Sequence, residues 1–403
     1  MTLLTNERPI RTLFISSAGR IGGAERSLFE LLCVLPKDRV EIHACLPPDS
    51  HLAHWCDAAG LTVHPAPMRR FRRTLHPFLL AGQIRALYQG ARQIAELVRR
   101  EKIEVLHANT DSSALFAWEV ARETKRPFIW HCRDLRPLGP MARILAFSAA
   151  RVAAISAAVE EHLKAQGVPQ KRLLKILNGV DLTRFHNEAK RAEIRAGVRR
   201  YLGLAPDAPV VISIGFLSPW KRHELFLEAL TLARRTRPDL VGILVGGDLF
   251  GENAGYLDFL ETRIEASGLA DNGFLFLEHR EDVPDLLAAA DLFFSAAENE
   301  PFGRVLAEAG ASGLPVICTD SGAKREIVVH EQTGLLLPAD APTLAAALVR
   351  LAGDPETAQR LGANGRVRVA AHFDIRRTAA ELTALIETIV GERRRADVKR
   401  GSL

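Results

Sequence analysis

Short apolar runs, each followed by a loop and then an amphipathic helix, recur along the whole chain. Arg11 to Ser17 leads through Gly22-Gly23 into a helix from Ala24 to Val34, and strand-like runs follow at Val40–Leu46, Leu61–His64, Glu104–His107, Pro127–His131, Arg151–Ile155 and Lys175–Leu177. A second series begins at Pro209, with runs at Val210–Gly215, Leu240–Val245, Gly273–Leu277, Leu292–Ser295, Pro315–Cys318 and Gly334–Leu337; an ending in small residues is clearest at Ser16-Ser17, and most other runs end in His, Ile, Leu or Val. Strand and helix patterns in alternation specify parallel sheets covered by helices on both faces. At 403 residues the chain exceeds one ordinary core, so two domains are expected. The fold class is therefore α/β, with two doubly wound Rossmann-like domains facing each other across a crevice. The boundaries expected are 1–187, 188–373 and a C-terminal helix with a basic tail at 374–403 that packs back toward the first domain.

In an open sheet of this kind the chemistry belongs at the carboxyl ends of the strands. The richest such end is Glu300-Pro301-Phe302-Gly303-Arg304-Val305-Leu306-Ala307-Glu308. Glu300 falls in a loop after a strand, and Glu308 about one turn inside a helix that starts near Arg304. A helix N-terminus behind a glycine-bearing loop offers free N–H groups and the positive end of a dipole, which suits an anion. Carboxylates beside it suit a polyhydroxylated ligand, so the combination points to a sugar nucleotide. Lys221, in the loop Phe216-Leu217-Ser218-Pro219-Trp220-Lys221-Arg222, can neutralise a phosphate. Gly22-Gly23 can take positive φ and lets a ligand approach the backbone. His131 and His107 stand at strand ends, where a ring nitrogen can reach a substrate hydroxyl. No Asp-x-Asp occurs, so no metal is indicated; lysine, backbone N–H groups and a helix terminus would carry the charge of a pyrophosphate.

Charge and cysteines narrow the setting. Residues 1–185 hold 27 Lys and Arg against 17 Asp and Glu, whereas the whole chain carries only +5. Nine basic residues lie between Arg69 and Lys102, interleaved with Phe71, Phe78, Leu79 and Leu80. That pattern fits an anionic membrane surface, and no nucleic-acid motif accompanies it. Five cysteines without a CxxC pair suggest reduced thiols and a cytoplasmic location, peripheral on the inner face of the membrane. Met1 to Ile10 has no apolar core, so no secretory leader is expected, and no stretch is apolar enough to span a bilayer.

The chain resembles the large retaining glycosyltransferase family with the GT-B fold (the group 1, or family 4, type). The residues that carry the resemblance are Phe276–Pro284, Ala290–Phe293, Glu300–Glu308, Gly313–Ile317 and Thr333–Leu336, with Gly22–Glu25 and Asn178–Asp181 in the first half. It implies a nucleoside diphosphate sugar as donor (UDP-, GDP- or ADP-linked), bound mainly by the second domain with no cofactor and no metal. Glu308 would accept from the ribose, Glu300 would contact the donor sugar, and the N–H groups of Phe302, Gly303 and Arg304 would border sugar and pyrophosphate. Lys221 would bind the phosphates, Arg280 to Val283 would frame the base, and Gly215 and Val305 complete the donor set. Gly22 and Gly23 would approach the phosphate, and His131 matches the family's crevice histidine, which with Glu300 and Lys221 makes the catalytic set. The reaction implied is retaining transfer to an acceptor hydroxyl, on a lipid-linked or polysaccharide acceptor. The family's usual arginine is missing: Phe216 stands after Gly215, and Arg222 is the expected substitute. The missing arginine leaves an alternative, a catalytically weak GT-B scaffold with a binding or regulatory role. A glycosidase is disfavoured because Glu308 lies inside a helix, and a phosphorylase because no pyridoxal-phosphate lysine motif is present.

Overall fold

The computed structural model describes residues 8–71, 74, 76–248, 251–269 and 273–401. Most of the N-terminal stretch read for a leader, Arg72, Arg73 and Leu75 of the basic segment, and the last two residues of the tail lie outside the described residues. Contacts divide the chain into two units: Met1–Asn178 with Ile375–Leu403, and Gly179–Asp374. The division falls in the Asn178-Gly179 turn, upstream of the 187/188 boundary expected from sequence.

The first unit holds a parallel sheet of β1 (Ile10–Ile15), β2 (Val40–Leu46), β3 (Thr62–Pro65), β4 (Val105–Ala108), β5 (Phe128–Cys132), β6 (Arg151–Ala154) and β7 (Leu173–Lys175), in the order β3-β2-β1-β4-β5-β6-β7. The inner strands β1, β2, β4 and β5 are almost wholly buried, as a sheet covered on both faces requires, whereas the edge strands β3 and β7 are part exposed. Strand β7 begins at Leu173, earlier than expected, because Leu173 pairs with Val152 directly after the turn Gln170–Arg172. The last helix, Ile375–Gly401, places Ile375, Leu382, Ile386 and Ile389 in the core with Phe14, Leu28 and Val40.

The second unit holds β8 (Val210–Ile214), β9 (Val241–Val245), β10 (Phe274–Leu277), β11 (Leu292–Ser295), β12 (Val316–Thr319) and β13 (Gly334–Leu337), in the order β10-β9-β8-β11-β12-β13. Each sheet reverses its winding once, between β1 and β4 and between β8 and β11. The loops that leave two strands at such a reversal diverge and open a ligand crevice at their carboxyl ends. In the second sheet those two loops carry Lys221 and Glu300. Asp291, just before β11, accepts from Arg195, Arg199 and the N–H of Val210, and so pins the other ends of β8 and β11 together.

Several helices start where a side chain caps them. Ser156 accepts from the N–H of Val159, as expected, and Asp340 and Asp354 do the same for Thr343 and Thr357. The helix that carries Leu87, Ile94 and Leu97 begins at Pro77, proline being well suited to the first helical position, and so holds Phe78, Leu79 and Leu80 on the helix itself. A one-turn helix at Lys324–Ile327 follows the loop after β12, too short to show a period in the sequence. Among the described residues no helix is long and apolar enough to cross a membrane.

Candidate functional site

Three loops at the carboxyl ends of β8, β11 and β12 converge on Glu300. The loop after β8 forms the turn Pro219–Lys221, and the carbonyl of Trp220 accepts from the N–H of Glu298 at 2.7 Å. The ammonium of Lys221 meets Oε2 of Glu300 at 2.7 Å, with the two side chains 12% and 9% exposed. Lys221 also sits 4.1 Å from the centre of the Trp220 ring, and its methylenes lie against Gly215. From the loop after β12, Ser321 Oγ accepts from the N–H of Asn299, and Ala323 donates to the carbonyl of Glu300 at 2.9 Å. Gly322 has φ +62°, and a Cβ there would lie 2.5 Å from both the N and the O of Glu300.

Behind Glu300 the helix Arg304–Ala311 begins. Gly303 caps it at φ +91°, a conformation that favours glycine, and a side chain would also strike Leu306. The ring of Phe302 is buried against Phe373. Val305 opens the helix beside Arg304, whose guanidinium pairs with Glu308 Oε1 at 2.8 Å, both side chains nearly buried. The first N–H groups of a helix have no acceptor within it, so this end presents donors next to the Lys221–Glu300 pair.

Other expected donor residues lie on the same side of the sheet. Arg280, after β10, forms a two-pronged ion pair with Asp282 that raises its pKa, and Val283 starts the following helix. Gly247, after β9, packs against His279. Sequence reasoning missed His223. It is buried, its pKa is pushed down to about 4 by burial, and its Nε2 donates to the carbonyl of Phe216 at 2.8 Å, fixing the Lys221 loop. It also missed Lys324, fully buried beside this site. Neither gives a sequence signal, since burial of a lone histidine or lysine depends on which loops close over it.

Arg222, the expected stand-in for the missing arginine, lies in left-handed backbone at φ +53°, pairs with Glu224 at 2.7 Å and reaches Glu298, much as Lys221 is held by Glu300. Arg222→Asn, which tolerates that backbone, is expected to keep transfer within about fivefold of wild type, the ~1 kcal/mol upper worth of an exposed ion pair. A loss beyond that in a steady-state assay would place Arg222 at the phosphate.

In the first unit, Gly22 is extended (φ −110°), and neither Gly22 nor Gly23 uses the positive φ expected. The reason is Glu25, which accepts from the N–H of Gly22 at 3.0 Å and closes the turn without it. Burial raises the pKa of Glu25. His131 and His107 form a buried pair, Nδ1 to Nε2 at 3.1 Å. Burial first, and then the charge of Arg133, pushes His107 down to about 3 and His131 well below its usual value, so both rings are neutral near pH 7. Arg133 is held by Asn109 at 2.8 Å and Asn178 at 3.0 Å, and Asn178 reaches Ser27. Among the described residues, no group of three His, Cys, Asp or Glu could hold a metal ion.

Comparison with known proteins divides along the same line as the units. A profile described as Glycosyltransferase Family 4 matches residues 21–184, and one described as Glycosyl transferases group 1 matches residues 195–368. The chain is 32% identical over 218 residues to the lipopolysaccharide core biosynthesis mannosyltransferase LpsB of Rhizobium meliloti, a match covering 53% of this chain and 60% of that one. It is 32% identical over 213 residues to a D-inositol 3-phosphate glycosyltransferase of Jonesia denitrificans, covering 52% and 50%. The matched part thus spans little more than half the length of these curated relatives. Across 94% of this chain and 100% of the other, the fold matches HepE of Anabaena, solved in complex with UDP-glucose, with a TM-score of 0.81 and 25% identity.

Proposed function

Since the chain belongs to the group 1 glycosyltransferases of GT-B fold, we propose that it transfers a sugar, with retention, from a nucleoside diphosphate sugar to an acceptor hydroxyl. The observation that carries this is the Lys221–Glu300 pair at the reversal of the second sheet, beside the N-terminus of helix Arg304–Ala311. Lys221 and the N–H groups of Phe302, Gly303 and Arg304 take the pyrophosphate. Glu300 accepts from the donor sugar, Glu308 from the ribose, and the loop from Arg280 to Val283 borders the base. The bond between the anomeric carbon and the phosphate oxygen breaks as the acceptor oxygen bonds to the same face. The acceptor's proton passes to the departing phosphate oxygen, so no protein base is required. Fixed positive charge aimed at that oxygen supplies most of the catalysis. His131, buried and neutral, enters only as a hydrogen-bonding group. The scaffold reading is the less supported one, because only Phe216 speaks for it.

Slow hydrolysis of the donor without acceptor gives the test. Followed by proton NMR, an α-linked donor should release the α-anomer first. First appearance of the β-anomer would overturn retention, and no turnover of any donor that binds would favour the scaffold.

The acceptor in this proposal is lipid-linked and met at an anionic membrane surface. Helix Pro77–Arg100 buries Leu87, Ala91, Ile94, Leu97 and Val98, but its first turns leave Phe78 82% and Leu79 60% exposed, with Ile84 and Tyr88 also open. No acidic residue occurs between Asp57 and Glu96, while Arg69, Arg70, Arg72, Arg73, Arg85 and Arg92 do. Beside this helix lies an open cavity of about 400 Å³ lined by Pro47, Pro48, Pro67, Met68, Arg69, Ala86 and Gln89. Basic residues contribute about 1 kcal/mol each at an anionic surface. Phe78→Asp with Leu79→Asp should abolish sedimentation with phosphatidylglycerol vesicles at low salt and leave the melting temperature unchanged. Wild type that ignores such vesicles would remove the membrane from the proposal.

A further inference from the structure

We infer that Lys324 is a positioning residue of the donor site: its buried ammonium balances Glu300 and steadies the Glu300 loop while Lys221 engages the phosphates of a nucleoside diphosphate sugar. The inference rests on the proposed donor reading and adds a residue to it.

Lys324 follows the loop that leaves β12. Its side chain is 0% exposed. The ammonium donates to Thr319 Oγ1 at 2.6 Å, and that hydroxyl donates in turn to the carbonyl of Ala297 at 3.5 Å, in the loop that carries Glu300. The preceding residue, Ala323, donates its N–H to the carbonyl of Glu300. Lys324 thus ties the end of β12 to the loop after β11 from beneath. Among the described residues no carboxylate lies within ion-pair reach of it, and a buried cation without a counterion is costly unless it serves a purpose.

The groups that face Lys324 are Glu300 from the loop after β11, Lys221 from the loop after β8, and Cys318 and Asp320 from β12 and its end. Asp320 is already engaged by Arg325. The buried centre therefore contains two ammonium groups and one available carboxylate. That excess of positive charge suits a ligand with more than one negative charge, and a diphosphate has it. When Lys221 turns from Glu300 to the phosphates, Lys324 is the cation left beside Glu300. Burial, offset in part by Cys318 and Glu300 and reinforced by Lys221, brings the pKa of Lys324 down to about 8. It is charged below that value and loses its charge as pH rises through it.

The test is calorimetric titration with UDP-glucose and GDP-mannose between about pH 6.5 and about pH 9.5, a range that brackets the transition but not an ordinary lysine. Wild type, Lys324→Met and Lys324→Arg are compared, with melting temperature as the check on folding. Wild-type affinity for the donor that binds should fall about tenfold as pH rises through 8, the lower end of what a charge-assisted contact is worth. Lys324→Met should bind weakly at every pH, with no step. Lys324→Arg should restore the affinity and hold it across the range, because arginine stays charged. A folded Lys324→Met with the wild-type affinity and the wild-type step overturns the inference and leaves the donor reading standing. Failure of wild type to bind either of these donors or ADP-glucose overturns both.

Discussion

Replacing Lys221 by methionine should lower kcat/KM for sugar transfer by about 10²–10³-fold, the usual worth of one charge-stabilising group aimed at a developing anion. The loss should fall on kcat as well as KM, because negative charge on the leaving phosphate is greatest in the transition state. The variant should also melt lower. Lys221 and Glu300 meet at 2.7 Å with little exposure, and removal of one partner leaves the other buried alone. Breaking such a pair costs about 3–5 kcal/mol, and Lys324 nearby places this case at about 3. Glu300→Gln keeps the shape of the side chain but leaves Lys221 and Lys324 buried without a carboxylate between them, so it should lose activity and at least as much stability. Wild-type kcat/KM in a folded Lys221→Met protein would remove the phosphate role of that loop.

Gly322→Ala should do nearly as much damage without touching a charge. At φ +62° any side chain is strained, by about 1–2 kcal/mol. The added carbon would also stand 2.5 Å from the backbone N and O of Glu300, and no rotamer change moves backbone aside. The loop must shift, and Glu300 with it. A total cost of about 2–4 kcal/mol is expected, near the upper range for single substitutions. Displacement of a positioned group by about 1 Å costs roughly 10²-fold in rate. Gly23→Ala is the matching control for stability, since a Cβ there meets nothing within 4 Å. Equal melting temperatures and rates for wild type and Gly322→Ala would mean that the loop after β12 does not set the position of Glu300.

The β/α alternation is legible in the sequence because most inner strands are buried on both faces and read as mainly apolar runs. The second unit's site is legible for a related reason: Glu300, Gly303 and Arg304 lie within five residues, where strand end, loop and helix start follow directly. What is not legible depends on contacts between distant segments. The partner of Arg222, Glu298, comes from another strand's end 76 positions away, a contact that no local pattern announces. Gly22-Gly23 suggests a left-handed turn, yet one carboxylate three residues on makes extended backbone sufficient. Lys324 looks like a surface lysine beside Arg325 until Thr319 and the Glu300 loop close over it. The start of helix Pro77–Arg100 is hidden because, among the described residues, nothing from Pro77 to Ala86 is buried, so no apolar face shows there.

The central claim is a nucleoside diphosphate sugar site built on Lys221 and Glu300. The most direct measurement is the melting temperature of wild type and Lys221→Met across a panel of UDP-, GDP- and ADP-sugars. One nucleotide class should stabilise wild type by about 2.7 kcal/mol at a hundred times its Kd, and should stabilise Lys221→Met by about half of that or less at the same concentration. A panel that shifts neither protein, or shifts both equally, would contradict the account.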